Sequence, residues 1–423
     1  MLRTYNNKIL IDSYGKLLIN YTVPSIEIIT RRPAFPYYLI PNYGAGYLQL
    51  TTSVVNTVFI DFGDGSEVYE REFSGAISIT PNSPLHTYTD GLTEHKVKIW
   101  FKLPSKILSF VSHNIEMYGD FPIALSLYNL NTLSITNATY LDDFPIDYGA
   151  GVFDRINFTN LTQNNIYSIP LWITRSRIFR LDLGAKIILS NNTSNNVNKL
   201  INVQGLESLT FVNGNQLSDV SSNLKNISTL RYLAIGGDNP VTTITPNINS
   251  CRQIRNLSFG FLNNSLFGSL SNNGKLTNWG EGLVGMVNLA YLSLGDCRSA
   301  PTNIIPGLSD AVNLKTMLFR SCYNTQLRID DFISNLYASV ISIAIMVVGN
   351  TVMRNVRLEI TTSSVGQTPR PTGTYQAPSG YVQGSSNGTP ASVMEMLYVL
   401  VKQYRWTCVI TNTAGTGNET LTP

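Results

Sequence analysis

Leu206-Glu-Ser-Leu-Thr-Phe211 is followed 24 residues later by Leu230-Arg-Tyr-Leu-Ala-Ile235, and after 24 more by Ile254-Arg-Asn-Leu-Ser-Phe259. Each block reads apolar–x–x–apolar–x–apolar, and its last two apolar side chains point to the same face of a strand. The pattern returns after intervals of 35, 25 and 26 residues, at Leu289–Leu294, Leu314–Phe319 and Val340–Ile345. A block repeated at this period predicts a solenoid, in which each repeat buries its apolar face on its neighbours.

Weaker blocks extend the pattern on both sides. The interval between Ile254 and Leu289, which contains Asn272–Lys275 and Trp279, is ten residues longer than the one that follows it, so it predicts a ten-residue insertion that projects as a loop. Leu358–Thr361 fits one last strand. On the N-terminal side the blocks are Leu130–Ile135, Phe153–Phe158, Ile178–Leu183 and a degenerate first one at Ile107–Phe110.

These blocks resemble the strands of leucine-rich repeat proteins over residues 107–350. The resemblance implies that the third, fifth and seventh block positions line a concave parallel sheet. Most residues there are small and expected to be exposed, namely Thr132, Ser134, Thr136, Ser208, Thr210, Ala234, Gly236, Ser258, Gly260, Ser293 and Gly295. The larger ones are candidate binding residues, since Tyr and Arg are enriched in interfaces; ordinary exposed side chains and contacts with another domain remain alternatives. They are Arg155, Arg180, Asp182, Tyr232, Tyr291 and Arg320.

Asn or Cys follows several of the blocks. Cys297 and Cys322 lie 25 residues apart, each eight residues after the start of its block, and none of the four cysteines has the spacing of a zinc or CxxC site. Asn137, Asn160 and Asn213 occupy the eighth block position, seven residues after the start. We therefore expect these side chains to bond the turning backbone rather than to bind metal or react.

Residues 51–103 contain a second pattern. Val58–Ser66 is a strand that enters the tight turn Gly63-Asp64-Gly65, where positive φ and an Asp64 bond to the amide two residues on are expected. His86-Thr-Tyr88 and the alternating strand His95–Phe101 follow. In this order the motifs resemble the PKD domain, an immunoglobulin-like sandwich without chemistry of its own. Asp61 and Asp64 could suggest calcium, but two carboxylates are far fewer oxygens than calcium requires.

The two ends of the chain differ in composition. Residues 1–50 read as short strands broken by proline, either an arm that docks on a partner or an extra layer on the next domain. Residues 361–388 form a Pro/Gly/Ser-rich linker. Thr389-Pro390 begins an amphipathic helix, Ala391–Tyr404, and Trp406–Ile410 is a strand. This last unit either covers the open end of the solenoid or docks on a partner.

The sequence predicts no catalytic residues, metal site or cofactor. No nucleophile elbow, P-loop, HExxH or dinucleotide motif occurs, and the Asp142-Asp143 pair with Asp147 fits a solvated loop better than the paired carboxylates of a glycosidase. A charged fraction of 13% and a net charge of +3 argue against nucleic acid as a partner. No apolar run is long enough for a membrane span, and no secretory signal begins the sequence.

We therefore predict a mainly β chain: an N-terminal β arm or module (1–50), a PKD-like sandwich (51–103), a leucine-rich repeat solenoid (104–360), a linker (361–388) and a small C-terminal α/β cap with a tail (389–423). PKD-like modules beside leucine-rich repeats resemble virion proteins of crAss-like bacteriophages of Bacteroidota, as does Pro371–Tyr381. The resemblance implies a non-enzymatic virion structural protein of the tail or tail fibre. Its expected partners are other virion proteins, a host-surface protein or glycan and, by analogy alone, further copies of the chain. The alternatives are a bacterial cell-surface adhesin or carbohydrate-binding protein and, third, a tail-borne glycan hydrolase.

Overall fold

The structure is a computed structural model. It describes residues 10–11, 17–18, 25–31, 34–35, 47–79, 86–113, 118–119, 129–136, 140–141, 151–159, 171–184, 203–212, 224, 227–236, 241–260, 263–264, 268–269, 275–295, 297, 299–323, 325–346, 353–361, 369–412 and 417–423. The described chain is mainly β and contains a β-solenoid, as predicted.

The N-terminal strands are antiparallel. Strand pairs β1–β2 and β4–β7 are short, whereas β3, β5, β6 and β8 belong to one sheet. Alternate residues of β8 are buried, as the alternation in His95–Phe101 predicts. The strands are β1 Leu10–Ile11, β2 Leu17–Leu18, β3 Ile26–Thr30, β4 Ala34–Phe35, β5 Tyr47–Asp61, β6 Tyr69–Ile79, β7 His86–Thr87 and β8 His95–Phe101.

Strand β5 pairs with β6 and is also long enough to pair with two further strands, one after the other along its length. Residues 58–61 pair with β8, while residues 47–52 pair with Ile107–His113, the first strand of the solenoid. The N-terminal strands and the solenoid thus share one continuous sheet. The boundary expected between residues 50 and 51 lies inside this strand.

Asn56 secures the point where β5 changes neighbours. The strand is irregular between Thr52 and Asn56, and Asn56 is 2% exposed. Its Nδ2 donates to the Leu103 carbonyl (2.9 Å), and its Oδ1 accepts from the Leu103 amide (3.0 Å). The side-chain amide therefore bonds the connection from β8 to the solenoid as a neighbouring strand would.

The solenoid strands form a parallel ladder. Eight of the nine complete blocks, the degenerate block at Ile107 and the strand expected at Leu358 all lie in it. The ladder consists of β9 Ile107–His113, β11 Thr132–Thr136, β13 Val152–Thr159, β14 Arg177–Gly184, β15 Ser208–Val212, β16 Tyr232–Ile235, β17 Asn256–Phe259, β20 Tyr291–Gly295, β21 Thr316–Arg320, β22 Arg357–Thr361 and β25 Thr407–Asn412. The remaining strands are β10 Tyr118–Gly119, β12 Tyr140–Leu141, β18 Asn263–Asn264, β19 Gly268–Ser269, β23 Ser379–Val382, β24 Ser386–Thr389 and β26 Gly417–Leu421.

The block pattern fixes the register of the ladder. The fourth block position of each strand lies opposite the fourth position of the next, and these side chains are buried. Full burial of one such side chain stabilises the fold by about 1.5–3 kcal/mol. The fourth positions of four successive strands are Leu181, Leu209, Leu233 and Leu257.

The segments that return between the strands also pack on one another. Trp279 is buried and its Nε1 donates to the Asn303 carbonyl (3.2 Å), so this part of the long interval packs on the next return segment. Most of residues 261–274, where the interval has room for the predicted insertion, lie outside the described residues. Gly282 and Gly307 have positive φ, and a Cβ on either would collide with the backbone of the neighbouring segment. Adjacent return segments therefore approach too closely for a side chain at these points.

The predicted block at Val340–Ile345 is wrong, because these residues belong to a helix. Val340 and Ile343 continue a helical stripe of buried residues that begins at Ile329 and includes Phe332 and Leu336. Apolar residues three apart fit a helix as well as this block. The helices are α1 Leu171–Arg175, α2 Pro246–Asn249, α3 Gln326–Met346 and α4 Val393–Tyr404, with 3₁₀ turns at Pro104–Lys106 and Leu308–Asp310.

The C-terminal strand and helix lie near their predicted positions. Helix α4 begins two residues later than expected, because Ser392 caps it: its Oγ accepts from the Glu395 amide (3.4 Å), and Glu395 Oε2 accepts from the Ala391 amide (2.7 Å). Helix α4 packs on α3, and β25 and the antiparallel β26 complete the sheet. The expected linker contains the hairpin β23–β24.

Among the described helices, none is long and apolar enough to cross a membrane.

Candidate functional site

The parallel ladder carries a row of polar side chains on the side opposite its buried leucines. We call this surface the polar face and define it as the third, fifth and seventh positions of the blocks. In the third-position row, Arg155 pairs in register with Arg180, and Tyr232 is separated from Tyr291 only by Asn256. Strand spacing of about 4.8 Å places the two tyrosines roughly 10 Å apart.

Three of the predicted residues meet at one point of this face. Arg155 Nε donates to Asp182 Oδ2 (2.9 Å), and Arg180 Nε donates to both Asp182 oxygens (3.1 and 2.9 Å). The Asp182 side chain is 3% exposed, against 16% for Arg180 and 38% for Arg155. One buried carboxylate therefore orients two guanidinium groups, of which Arg155 faces solvent more openly.

Burial and charge act together on Arg180. Its pKa is lowered from the ordinary arginine value, first by burial and then by the like charge of Arg155, while Asp182 opposes the change. Arginine nevertheless keeps its charge at any physiological pH. The polar face therefore carries two fixed cations at this point.

The fifth-position row beside these arginines contains polar atoms without partners. Asp182 lies between Asn157 on one neighbouring strand and Thr210 on the other. Asn157 is 7% exposed and Thr210 is 1% exposed, and among the described residues Asn157 Oδ1, Thr210 Oγ1 and Ser258 Oγ have no hydrogen-bond partner. An unsatisfied buried polar atom costs about 1–3 kcal/mol and calls for an explanation.

The prediction that the small residues of this face are exposed is wrong for most of them. Adjacent strands lie only about 4.8 Å apart, so a short side chain between longer neighbours is shielded from water. The surface that a ligand meets is therefore formed mainly by the third-position row. The buried small residues are Ser134, Thr136, Ser208, Thr210, Ala234, Gly236, Ser258, Gly260, Ser293 and Gly295.

The tyrosines are half-buried, with their rings in the same row. Burial raises the pKa of Tyr291, a hydrogen bond with Ser293 opposes this, and the charge of Glu359 adds to it. The Tyr291 phenol is therefore neutral at physiological pH, and the hydroxyl of each tyrosine can donate or accept a hydrogen bond. An aromatic face with a polar tip suits a ligand that is partly apolar and partly hydroxylated.

Arg320 is not part of the arginine and aspartate cluster. It occupies the seventh position of β21, opposite Gly295 and Thr361, five strands beyond β14. On the adjacent strand β22, Arg357 and Glu359 form an ion pair, and sequence reasoning named neither of them. Asn157 and Asn256 were also missed, although the same counting of block positions would have placed them on this face.

A histidine beside a hydroxyl also lies on the polar face. His113 Nδ1 is 2.6 Å from Thr136 Oγ1, and burial lowers the pKa of His113. A hydroxyl beside an imidazole is the start of a nucleophile and base pair, but such a pair also needs a group that orients the imidazole. The contacts of the described residues supply none, so the pair is read as a structural link between β9 and β11.

The turn predicted around Asp64 has the expected geometry. Gly63 and Gly65 have positive φ, and Asp64 Oδ1 accepts from the Ser66 amide (3.0 Å). Hydrogen bonds from Ser66, and then the neighbouring His86 whose Nε2 is 2.6 Å away, hold the pKa of Asp64 well below its usual range. The Asp64 carboxylate therefore stabilises the turn through these contacts.

The remaining candidates are structural or lie outside the described residues. Cys297 and Cys322 are buried, and their Sγ atoms contact backbone carbonyls at 3.3–3.8 Å, which confirms the predicted bonding to the turning backbone. No group of metal-binding side chains occurs in the described part of the chain. The candidates outside the described residues are Asp142, Asp143, Asp147, Asn137, Asn160 and Asn213.

No protein-family model matches this chain, and no curated protein matches it.

Proposed function

We propose that the protein is a non-enzymatic component of a bacteriophage virion, in the tail or its fibres, and that its solenoid attaches the particle to the host surface. The observation that carries the proposal is the polar face, where a rigid ladder presents Arg155, Tyr232 and Tyr291 in one row. Tyr and Arg are the residues that most often dominate binding energy.

Two resemblances support the architecture behind this proposal. The in-register blocks support a leucine-rich repeat solenoid, and the turn at Gly63-Asp64-Gly65 with His86 and Tyr88 supports a PKD-like module of immunoglobulin type. The C-terminal helix α4 and strand β25 act as the cap of the solenoid. Both modules resemble those of virion proteins of crAss-like phages, and this resemblance supports other virion proteins as partners.

Immunogold electron microscopy of intact phage, with antibody against the full chain, tests the virion assignment. Gold on the tail or fibres is expected. Gold on the capsid would remove the tail assignment and make the protein a head component. Label on uninfected host cells, with none on particles, would replace the proposal with the bacterial adhesin.

Competition tests the attachment role. The full chain, added in excess, is expected to slow phage adsorption, and a Tyr232→Ala/Tyr291→Ala variant is expected to compete at least tenfold less well, because each buried aromatic contact is worth 1 kcal/mol or more. Phe179→Ala is the control, since Phe179 is exposed at the second block position, outside the polar face. Equal competition by all three proteins would contradict the role of this face.

A further inference from the structure

Arg155 has more hydrogen-bonding capacity than its described contacts use. A guanidinium has five N–H donors, and among the described residues the contact of Arg155 is from Nε to Asp182. Both arginines donate to Asp182 Oδ2 and Arg180 also donates to Oδ1, so two cations share one described carboxylate. The Arg155 side chain is 38% exposed, and the two terminal amino groups of a guanidinium can bind a carboxylate through two parallel hydrogen bonds.

The neighbouring fifth-position row supplies acceptors that lack donors. Asn157 Oδ1 and Thr210 Oγ1 lie on the strands either side of Asp182 and have no hydrogen-bond partner in the part of the chain that the structure describes. Both atoms are shielded from solvent, so they gain a partner only when a neighbouring side chain moves. Arg155 is suited to move, because it is 38% exposed and Asp182 retains Arg180 without it.

The rest of the polar face favours a glycan over an acidic peptide. Protein interfaces usually have an apolar core. Among the described residues, the large exposed apolar side chains lie at positions outside the polar face, such as Val152, Phe179 and Ile304. Beyond Arg180 the third-position row continues instead to Ser208 and Tyr232, two strands or about 10 Å away, where a sugar ring can pack on the aromatic face.

We propose that Arg155, with Asn157 and Thr210, forms a subsite for the carboxylate-bearing sugar of an acidic glycan, whose adjoining sugars extend toward Tyr232. Arg155 binds the carboxylate, Asn157 and Thr210 accept hydrogen bonds from sugar hydroxyls, and Asp182 and Arg180 are positioning residues. This inference rests on the proposed function, since it names the class of ligand that the same face binds.

Calorimetry on the full chain tests the subsite with four acidic probes: oligomers of galacturonate, alginate, hyaluronan and α2,8-linked sialic acid. Each is paired with its methyl ester, which keeps the sugar backbone and removes the charge. At least one acidic oligomer is expected to bind about ten- to a hundredfold more tightly than its ester. This is the gain in affinity that one hydrogen bond to a charged group typically contributes.

Arg155→Gln is expected to remove that difference between acid and ester, and Arg155→Lys to restore part of it. Arg357→Gln is the matched control, because Arg357 occupies the same block position, is similarly exposed and has Glu359 as its own partner. This control is expected to bind like the parent. Circular dichroism checks that each variant is folded.

Failure of the subsite and failure of the proposed function give different results. Equal binding of acid and ester that depends on Tyr232 and Tyr291 would overturn the acidic subsite and leave glycan attachment intact. Binding of none of the acidic oligomers would overturn the subsite as well. If an excess of the full chain does not slow phage adsorption in the competition experiment, the attachment role itself is overturned.

Discussion

At the scale of single residues, Asp182 stabilises the polar face because two guanidinium groups depend on it. Asp182→Asn is expected to destabilise the protein by about 3–5 kcal/mol, since it removes the buried negative charge to which both guanidinium groups donate. Urea unfolding followed by circular dichroism measures the change. Asp154→Asn, an exposed change on β13, is the control and is expected to cost less than about 0.5 kcal/mol. Similar unfolding midpoints for both variants would contradict the role of Asp182.

Asp64 makes stability depend on pH. Its pKa is lower in the folded protein than in the unfolded chain, where the ordinary value of 3.8 applies. The stabilisation is therefore complete above that value and is lost as pH falls below about 4, because the unfolded chain then binds the proton more readily. Asp64→Asn is expected to show a smaller loss of thermal stability between pH 5 and pH 2.5 than the parent protein. Glu70→Gln, which removes an exposed carboxylate, is the control; equal slopes for Asp64→Asn and the parent would refute the assignment.

Sequence reasoning found part of the site at this scale. Counting block positions placed Arg155, Arg180 and Asp182 on one face, because the register of a repeat sets which side chains are neighbours. It could not show that Asp182 is buried beneath both arginines. The missing partners of Asn157 and Thr210 also depend on three-dimensional contacts that no spacing encodes.

At the scale of elements, the irregular part of β5 depends on Asn56. Asn56→Ala removes three hydrogen bonds, because Asn56 Oδ1 accepts from the amides of Leu103 and Thr57 and Nδ2 donates to the Leu103 carbonyl. The carbonyl keeps the Lys106 amide as a donor, whereas the two amides lose this acceptor. The expected loss is about 2–4 kcal/mol, because each unsatisfied buried group costs about 1–3 kcal/mol. Thermal unfolding measures it, with exposed Ser53→Ala as the control. A loss equal to that of Ser53→Ala would show that the junction does not need the amide.

Element types were predictable where the apolar pattern was unambiguous. Blocks such as Leu206–Phe211 and Leu289–Leu294 contain strands, as predicted. Val340–Ile345 was misassigned because its spacing satisfies a helix equally well, and the surrounding residues from Ile329 onward decide between them. The hairpin β23–β24 was missed because its Gly, Ser and Asn residues lack the alternating apolar pattern of a strand.

At the scale of the whole molecule, the parallel ladder has antiparallel strands at both ends. Strand β5 pairs with β9 at one end, and β26 pairs with β25 at the other, where Arg370 binds Glu419 of β26 at 2.9 Å. An exposed strand edge is a template for pairing with another chain. Covering the edges therefore protects the ladder from joining a second copy.

Removal of residues 413–423 tests this protection. The truncated chain is expected to aggregate or dimerise through the uncovered edge of β25, and light scattering coupled to size-exclusion chromatography would detect the larger species. Glu419→Gln, which weakens the contact with Arg370 but keeps β26, is the control and is expected to elute like the parent. A monomeric truncated chain with an unchanged melting temperature would show that β26 is dispensable.

The sharing of β5 between two sets of strands has a consequence for orientation. Two units joined by a flexible tether would swivel independently, whereas a common strand leaves no hinge between them. Whichever unit is fixed to a larger assembly, the other points in one direction. In a symmetric particle every copy would then present its row of Arg155, Tyr232 and Tyr291 at the same angle. Many individually weak contacts could form with one surface at the same time, which raises the overall affinity.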